Sequence, residues 1–159
     1  MLNRSNVTRA LMEAIAVTAQ VPVGDHDAPT EAGWSQGLSN VDDFTAYAVV
    51  SATGGTTQQG SLDPLWWDYR LTYRVSVYAV TRQGVDDLAE RVQAAVVVLP
   101  MTEVGPDFRT NIVRVETLGP ITNDRSVNPH LWTTSIGLSV DVVRTTTATV
   151  LSAGSGFTG

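Results

Sequence analysis

The chain has no cysteine and no lysine, and only two histidines among its 159 residues. Without cysteine, disulfide frameworks, thiolate metal sites and cysteine nucleophiles are excluded. No apolar run approaches the roughly 18 residues of a membrane-spanning helix. The N-terminal apolar segment is interrupted by Glu13 and has Arg9 beside it, unlike a signal peptide. The sequence therefore predicts a soluble, intracellular protein that does not contact membranes.

Negative charge exceeds positive charge along the chain. Sixteen acidic residues oppose ten arginines, and the formal net charge is −6 at pH 7. A protein that grips nucleic-acid phosphates has a basic surface, so this balance argues against specific nucleic-acid binding. The length favours a single domain, which we place at residues 1–144. Residues 145–159 are mostly small, have no core-forming pattern and are expected to form an extended C-terminal tail.

The clearest pattern is the alternation of apolar and polar side chains over residues 65–81. This pattern is typical of a half-buried β-strand, and the run is unusually long. At about 3.3 Å per residue it would span roughly 55 Å, whereas a domain of this size is roughly 40 Å across. The strand must therefore bend or project beyond the domain. A projecting strand suggests pairing with copies of the chain or with a neighbouring protein.

The remaining elements are predicted from their periodicities and from turn-forming residues. Helices are expected at 5–20, capped by Ser5, and at 84–99, where acidic residues 86, 87 and 90 suit the positive end of the helix dipole. The predicted strands are 44–50, 111–118 and 131–143, and the predicted loops are 21–42, 51–64 and 119–129. The first helix should bury Val7, Leu11, Ala14 and Thr18, helped by Ala10 and Ile15. The second should bury Val85, Leu88, Ala89, Val92, Ala95, Val96 and Leu99.

Antiparallel strands with two helices on one face satisfy all of these patterns. The fold class is therefore α+β: a mainly antiparallel sheet, two helices packed on one face, a long β-hairpin and long loops. The expected order of elements is α, β, β, α, β, β.

Side chains that carry out chemistry are sparse. His26 stands between Asp25 and Asp27, but neighbouring residues of an extended loop point to opposite sides and do not easily share one ion. His130 stands at the start of a strand, where an edge position accounts for it. The glycine-rich segment 51–64 lacks the lysine and the strand-to-helix context of a phosphate-binding loop. We therefore expect no catalytic residue, no metal site and no cofactor.

Two regions are candidates for a protein interface. Trp66 lies on the polar face of the long strand, where an aromatic side chain favours a contact surface. Arg70 and Arg74 share that face, and since acidic residues outnumber arginines, Arg–carboxylate pairs between copies are expected. The polar loop 51–64 contributes little to the fold and is expected to reach a neighbouring molecule. The loop residues assigned to this contact are Gly54, Gly55, Gln58 and Gln59.

Taken together, the layout resembles the tail terminator proteins of long-tailed (siphovirus-type) bacteriophages. The long strand ends in YRVSVYAVTRQG and leads straight into the helix VDDLAERVQAAVVVLP. The segment VRVETLGPITNDRSVNPHLWTTSIGLSVDVV then closes the sheet. The resemblance covers residues 5–144, and it rests on the order and style of the elements rather than on an invariant motif.

The resemblance implies a structural virion protein without enzymatic activity. Proteins of this family form a ring of six subunits that caps the tail tube, stops its polymerisation and joins the tail to the head or neck. The implied partners are other copies of the chain, the tail tube protein and a head–tail connector or neck protein. DNA would only pass through the channel, and the protein would be assembled in the host cytoplasm. The polar loop 51–64 would then reach a neighbouring subunit or the tube.

Two other interpretations remain open. One is a different neck, tail-completion or minor tail protein of the same virion. The sequence alone separates it poorly from a tail terminator, because both are small ring-forming α+β proteins. A small-molecule-binding or enzymatic α+β domain would need a deep pocket with convergent polar groups and shifted pKa values.

Overall fold

The computed structural model describes residues 2–29, 46–59, 67–126 and 130–145. These residues form two helices and a six-stranded mixed sheet, so the predicted α+β class is confirmed. The elements, in chain order, are α1 (Arg4–Ala19), β1 (Val23–Asp25), β2 (Tyr47–Gln59), β3 (Trp67–Ala79), α2 (Arg82–Val98), β4 (Phe108–Leu118), β5 (Thr122–Asp124) and β6 (Leu131–Arg144).

The sheet is built around the long strand β3. The strand order is β1-β2-β3-β6-β4, and β5 pairs with β6 beyond the end of β4. Every pair is antiparallel except β1 with β2. β2 and β3 form the long hairpin, which pairs from Tyr47 opposite Tyr78 to Gln59 opposite Trp67.

Alternating apolar residues of β3 and β6 form the face on which both helices pack. The predicted alternation is observed on both strands, because one set of side chains is buried and the intervening set is more exposed, apart from the buried Ser139 of β6. In β3 the buried residues are Leu71, Tyr73, Val75, Val77 and Ala79, and in β6 they include Ile136, Leu138, Val140 and Val142. These two rows of side chains join the inner faces of α1 and α2 in one hydrophobic core.

Helix α2 begins at Arg82, two residues before its predicted start. Its N-cap is Thr81, whose Oγ1 accepts a hydrogen bond of 3.0 Å from the backbone N–H of Gly84. Because of this earlier start, none of the acidic residues lies in the first helical turn, and the prediction that they complement the helix dipole is wrong. The buried stripe is Val85, Leu88, Ala89, Val92 and Ala95, while Val96 is only partly buried.

Helix α1 is capped by Asn3 and not by Ser5. The Asn3 Oδ1 accepts a hydrogen bond of 3.1 Å from the backbone N–H of Ser5. The buried stripe recurs at every fourth residue, and the predicted inner residues Ala14 and Thr18 flank it as partly exposed positions. The buried residues are Val7, Leu11, Ile15 and Ala19.

The opposite face of the sheet is also covered close to β1. The Tyr47 and Tyr78 rings stack with their centroids 4.7 Å apart, and Tyr47 is only 2% exposed. Val49 and the partly buried Ala28 complete this second, smaller cluster.

Two of the predicted loops contain short strands. β1 lies within segment 21–42 and pairs in parallel with residues 48–50 of β2, and β5 lies within segment 119–129. Each strand has three residues, too few for an alternating pattern to reveal it in the sequence. Residues 30–45 and 127–129 lie outside the described part of the chain.

The prediction of a flexible loop over residues 51–64 is wrong for residues 51–59. These residues continue β2 and pair with β3 along their whole length. The segment is polar because it is exposed, and backbone hydrogen bonds to β3 hold it in the strand without burial. Residues 60–66 lie outside the described residues.

Candidate subunit interface

A β-bulge interrupts the hairpin within β2. Ala52 pairs with Tyr73 and Gly54 pairs with Thr72, so that Thr53 is the additional residue. The Thr53 Oγ1 donates a hydrogen bond of 2.9 Å to the Thr72 Oγ1. Gly54 has a φ of 133°, which residues with a side chain rarely adopt. The glycine at position 54 therefore shapes the bulge.

The bulge changes which residues of β2 face the helices. Before it, Val50 and Ala52 lie on the helix side, whereas after it Gly55 and Thr57 do, opposite Leu71 and Tyr69. A Cβ atom at Gly55 would approach the Arg70 carbonyl oxygen to 2.6 Å and the Leu71 Cδ2 to 2.9 Å. Gly55 is thus required for the close approach of the two strands.

The outer edge of β2 is paired only along its first part. The Ala48 N–H donates to the Pro22 carbonyl over 3.0 Å, and the His26 N–H donates to the Val50 carbonyl over 2.9 Å. Beyond Val50, no strand of the described chain pairs with this edge, and residues 52–57 are exposed. Residues 51–59 contain no charged residue and no proline, the features with which natural proteins protect edge strands from pairing.

A largely apolar cleft lies on the helix side of this hairpin. It has a volume of about 530 Å³ and is bounded by the start of α1, the exposed part of β2, and the adjoining parts of β3, β4 and β6. On its floor, the rings of Tyr69 and Phe108 meet edge to face, with centroids 5.7 Å apart and an angle of 77° between planes. The Arg144 guanidinium carbon lies 5.9 Å from the centre of the Phe108 ring. The lining residues are Leu2, Arg4, Gly55, Thr56, Thr57, Tyr69, Leu71, Phe108 and Arg144.

The face of the sheet away from the helices carries a network of charged side chains centred on Asp141. Arg70 binds this carboxylate with two nitrogens, Nε to Oδ1 over 2.8 Å and Nη2 to Oδ2 over 3.3 Å. Arg114 donates from Nη1 to Oδ2 over 3.2 Å. Beside them, the Ser139 hydroxyl donates to the Glu116 Oε1 over 2.6 Å. The network ties β3, β6 and β4 together across this face.

The two arginines also set the protonation of Asp141. Burial by itself would raise the pKa of this carboxyl group, but the hydrogen bonds and positive charges of Arg70 and Arg114 outweigh burial, and the net pKa is lowered. The hydrogen bond to Asp141 raises the pKa of Arg70 in return. The pair is therefore fully ionised at neutral pH.

The predicted interface residues fall into different environments. Arg70 is engaged within its own chain by Asp141, whereas Arg74 is exposed and forms no ion pair with any described residue. The Gln58 and Gln59 backbone belongs to β2 and not to a loop, and their side chains are outside the described part, as is all of Trp66. Gly54 and Gly55 shape the strand that would carry the interface.

Sequence reasoning missed Asp141 and the apolar cleft. Asp141 is 71 residues from Arg70 along the chain, and nothing local marks it as the centre of a network. A signal for the cleft was present, because the apolar alternation of the long strand extends to Tyr69 and beyond. That length indicated more apolar surface than two helices would cover.

The described residues contain no group of three or more side chains suited to hold a metal ion. The His26 Nε2 lies 3.5 Å from the Asp25 Oδ1, with both side chains more than half exposed to solvent. His130 is exposed at the start of β6. No helix in the described part of the chain is long and apolar enough to cross a membrane.

The described elements define a class of small α+β proteins: a mainly antiparallel sheet, two helices on one face and a long hairpin with an exposed edge. A chain in the solved structure described as "Virion of native gene transfer agent (GTA) particle" shares this fold. It aligns with 85% of this chain and 92% of its own length, with a TM-score of 0.50 and 12% sequence identity. A second solved chain, whose printed name describes no function, aligns over 86% and 92% with 17% identity and a TM-score of 0.39, too low to support an inference. No family model and no curated protein matches the sequence.

Proposed function

We propose that this chain is a structural virion protein, and specifically a tail terminator that forms a ring on the tail tube. The observation that carries the proposal is the fold shared with a chain of a gene transfer agent virion, which extends over 85% of this chain. The order of helices and strands, which resembles tail terminators already at the level of sequence, points in the same direction.

The exposed hairpin supports an assembling protein. Half of β2 is exposed along an edge that lacks protective charges, and the apolar cleft lies beside it. A chain that offers a different surface on each side of one sheet is suited to head-to-tail contacts, which close into a ring when the rotation between copies allows it. The partners in this proposal are other copies of the chain, the tail tube protein and a head–tail connector or neck protein.

The charge of the chain suits a channel through which DNA passes. A ring of six copies would have a formal net charge of −36, six times the −6 of one chain. Acidic groups facing the channel would repel DNA phosphates, so DNA would move through without being held. The role is therefore structural and non-enzymatic, and the protein acts in the virion.

A different neck, tail-completion or minor tail protein is the second candidate, because the shared virion fold supports it equally. A small-molecule-binding domain is a third, and the specific observation in its favour is the cleft. Its volume of about 530 Å³ lies within the range of about 300–1,000 Å³ found for ligand sites. Its lining is largely apolar, and the polar residues in it include Arg4, Thr56, Thr57 and Arg144.

Two measurements test the proposal. Light scattering of the purified protein should give about 102 kDa, six times the 17.0 kDa of one chain. Antibody labelling of intact particles should mark the junction of tail and head, and particles made without the protein should have overlong tails. Labelling elsewhere, with normal tail length in its absence, would refute the terminator role and favour another virion component.

A further inference from the structure

Among the described residues, no strand pairs with the edge of β2 beyond Val50, and this exposed edge adjoins the apolar cleft. We propose that this surface binds the C-terminal segment, residues 146–159, of a neighbouring copy as an added β-strand. The proposal rests on the ring proposed above and adds how its subunits are linked.

The direction of the backbone groups on β2 follows from the register. The Val50 C=O points away from β3, because it accepts the His26 N–H, so its partner Val75 belongs to the residues of β3 that bond to β6. Residues of β3 bond alternately to its two neighbours, and Arg70, which lies opposite Thr56, is therefore one of those that bond to β2. The N–H and C=O groups of the flanking Gly55 and Thr57 therefore point away from β3, toward solvent. An added strand would pair with these groups, as in other cases of β-augmentation.

The cleft would receive alternate side chains of that strand. Gly55 and Thr57 face the helix side and form the rim of the cleft, and Leu71 and Tyr69 lie behind them. In a strand, every second side chain points to the same face. Half of the side chains of an added strand would therefore enter the apolar cleft, which gives the contact its specificity.

The composition of residues 146–159 fits this surface. The segment has no charged residue and begins with threonine, alanine and valine residues, of which the β-branched ones favour strands. Val150 and Leu151 are adjacent, so one of them faces the cleft in either register. The segment begins after Thr145, whose N–H donates to the Asp107 carbonyl over 2.7 Å.

A neighbouring copy is the better donor because of the strand order. β6, from which the segment emerges, is separated from the outer edge of β2 by β3 and by β2 itself. A chain's own segment would have to cross the ends of both strands, whereas a neighbour's segment approaches from outside. Fourteen residues can reach up to about 46 Å when extended. One edge and one segment per copy produce head-to-tail linkage, the type of contact that closes into a ring.

The absence of native cysteine permits a clean cross-linking test in the full-length chain. One variant has Thr57→Cys on the rim of the cleft and the other has Leu151→Cys in the segment, and the two are co-expressed and treated with a short bifunctional thiol reagent. We expect a cross-linked dimer from the mixture, none from either variant alone, and a ladder of multimers from the double variant. The matched control replaces Thr57→Cys with Val17→Cys, at an α1 position that is 77% exposed and outside the cleft.

The outcomes separate the docking from the ring. The docking is supported if the mixture cross-links and the control mixture with Val17→Cys does not. This holds even if light scattering finds a ring of another size. Only intramolecular cross-links in the double variant would overturn it, because the chain's own segment would then fill the cleft. A hexamer by light scattering without any cross-link, whether the segment has Leu151→Cys or Val150→Cys in its place, would overturn the docking and leave the ring intact. Equal cross-linking with Val17→Cys would also overturn it, as unspecific contact.

Discussion

Replacing Val92 with aspartate should unfold the protein or leave it insoluble. Val92 is fully buried at 0% exposure, on the face of α2 that packs on the sheet. The loss of its apolar burial costs about 1.5–3 kcal/mol, and an unpaired carboxylate in the core costs several kcal/mol more. The sum approaches the whole stability of an ordinary domain, about 5–15 kcal/mol.

A milder change at the same position gives a number that can be measured. Val92→Ala removes two buried methyl groups, which should cost about 2 kcal/mol. For a chain of this size, that loss corresponds to a melting temperature lower by about 4–8 °C. Thermal unfolding followed by circular dichroism measures it directly.

Val97→Asp is the matched control, because Val97 lies on the same helix and is 81% exposed. The same change of charge there should leave folding and melting close to wild type. A soluble Val92→Asp variant with normal melting would show that the assigned inner face of α2 is incorrect. Equal damage from both substitutions would show that helix formation, rather than burial, is the sensitive step.

Three further predictions concern the exposed parts of the sheet. Thr57→Pro should retain the fold but lower the assembly mass in light scattering, because the Thr57 N–H points away from β3. Thr56→Pro breaks the pairing with β3 and should lower the melting temperature further. Equal melting temperatures of the two variants would contradict the register of the hairpin. Asp141→Asn should lower the free energy of unfolding at pH 7. The folded pKa of Asp141 is lowered, so its stabilisation is present above the unfolded pKa of about 3.9 and disappears as the pH falls through the folded pKa. Urea titrations should therefore show a smaller difference in unfolding free energy between wild type and variant at low pH. A difference that does not shrink would refute the assignment. Arg74→Glu should leave the fold intact and weaken assembly, most clearly at low salt; an unchanged assembly mass across a salt series would mark Arg74 as ordinary solvated surface.

The sequence allowed the helix-covered face of the sheet to be predicted because its signal is local and repetitive. Val75 and Val77 in β3, like Leu138 and Val140 in β6, alternate with polar residues, and each is buried as expected. Burial on one face forces a two-residue period, and the period is visible without knowledge of the partner strand.

The sequence predicts a loop for residues 51–59 because the stability of this part of β2 comes from a partner strand that the local sequence does not reveal. Residues 51–59 have no buried face, so no alternating pattern is required of them, and Gly54 and Gly55 are typical of loops. Their strand conformation depends on the hydrogen bonds to β3. Apolar alternation arises where one face of a strand is buried, so a strand that is exposed on both faces does not show it.

The intrachain partner of Arg70 is hidden from sequence reasoning for a similar reason. The sequence predicts Arg70 as an interface residue, and this stays a prediction, while in the structure Asp141 of the same chain binds it. The pairing depends on β3 and β6 being neighbours in the register that places Arg70 opposite Asp141. Sequence composition gives the number of available acidic groups, but only the strand order shows which of them lies within reach.

The bulge at Thr53 and Gly54 has a consequence for how this hairpin can change in length during evolution. Deleting Thr53 alone would remove the bulge and leave Gly54 opposite Thr72 and Gly55 opposite Leu71, so the side chains that line the cleft would keep their face. Deleting a second residue there would shift the rest of β2 by one residue against β3, and because the side-chain period is two, those side chains would turn to the charged face. Homologous chains that preserve the cleft without the bulge should therefore be shorter here by one residue, and a length difference of two should mark a relative whose hairpin presents a different chemistry to its partner.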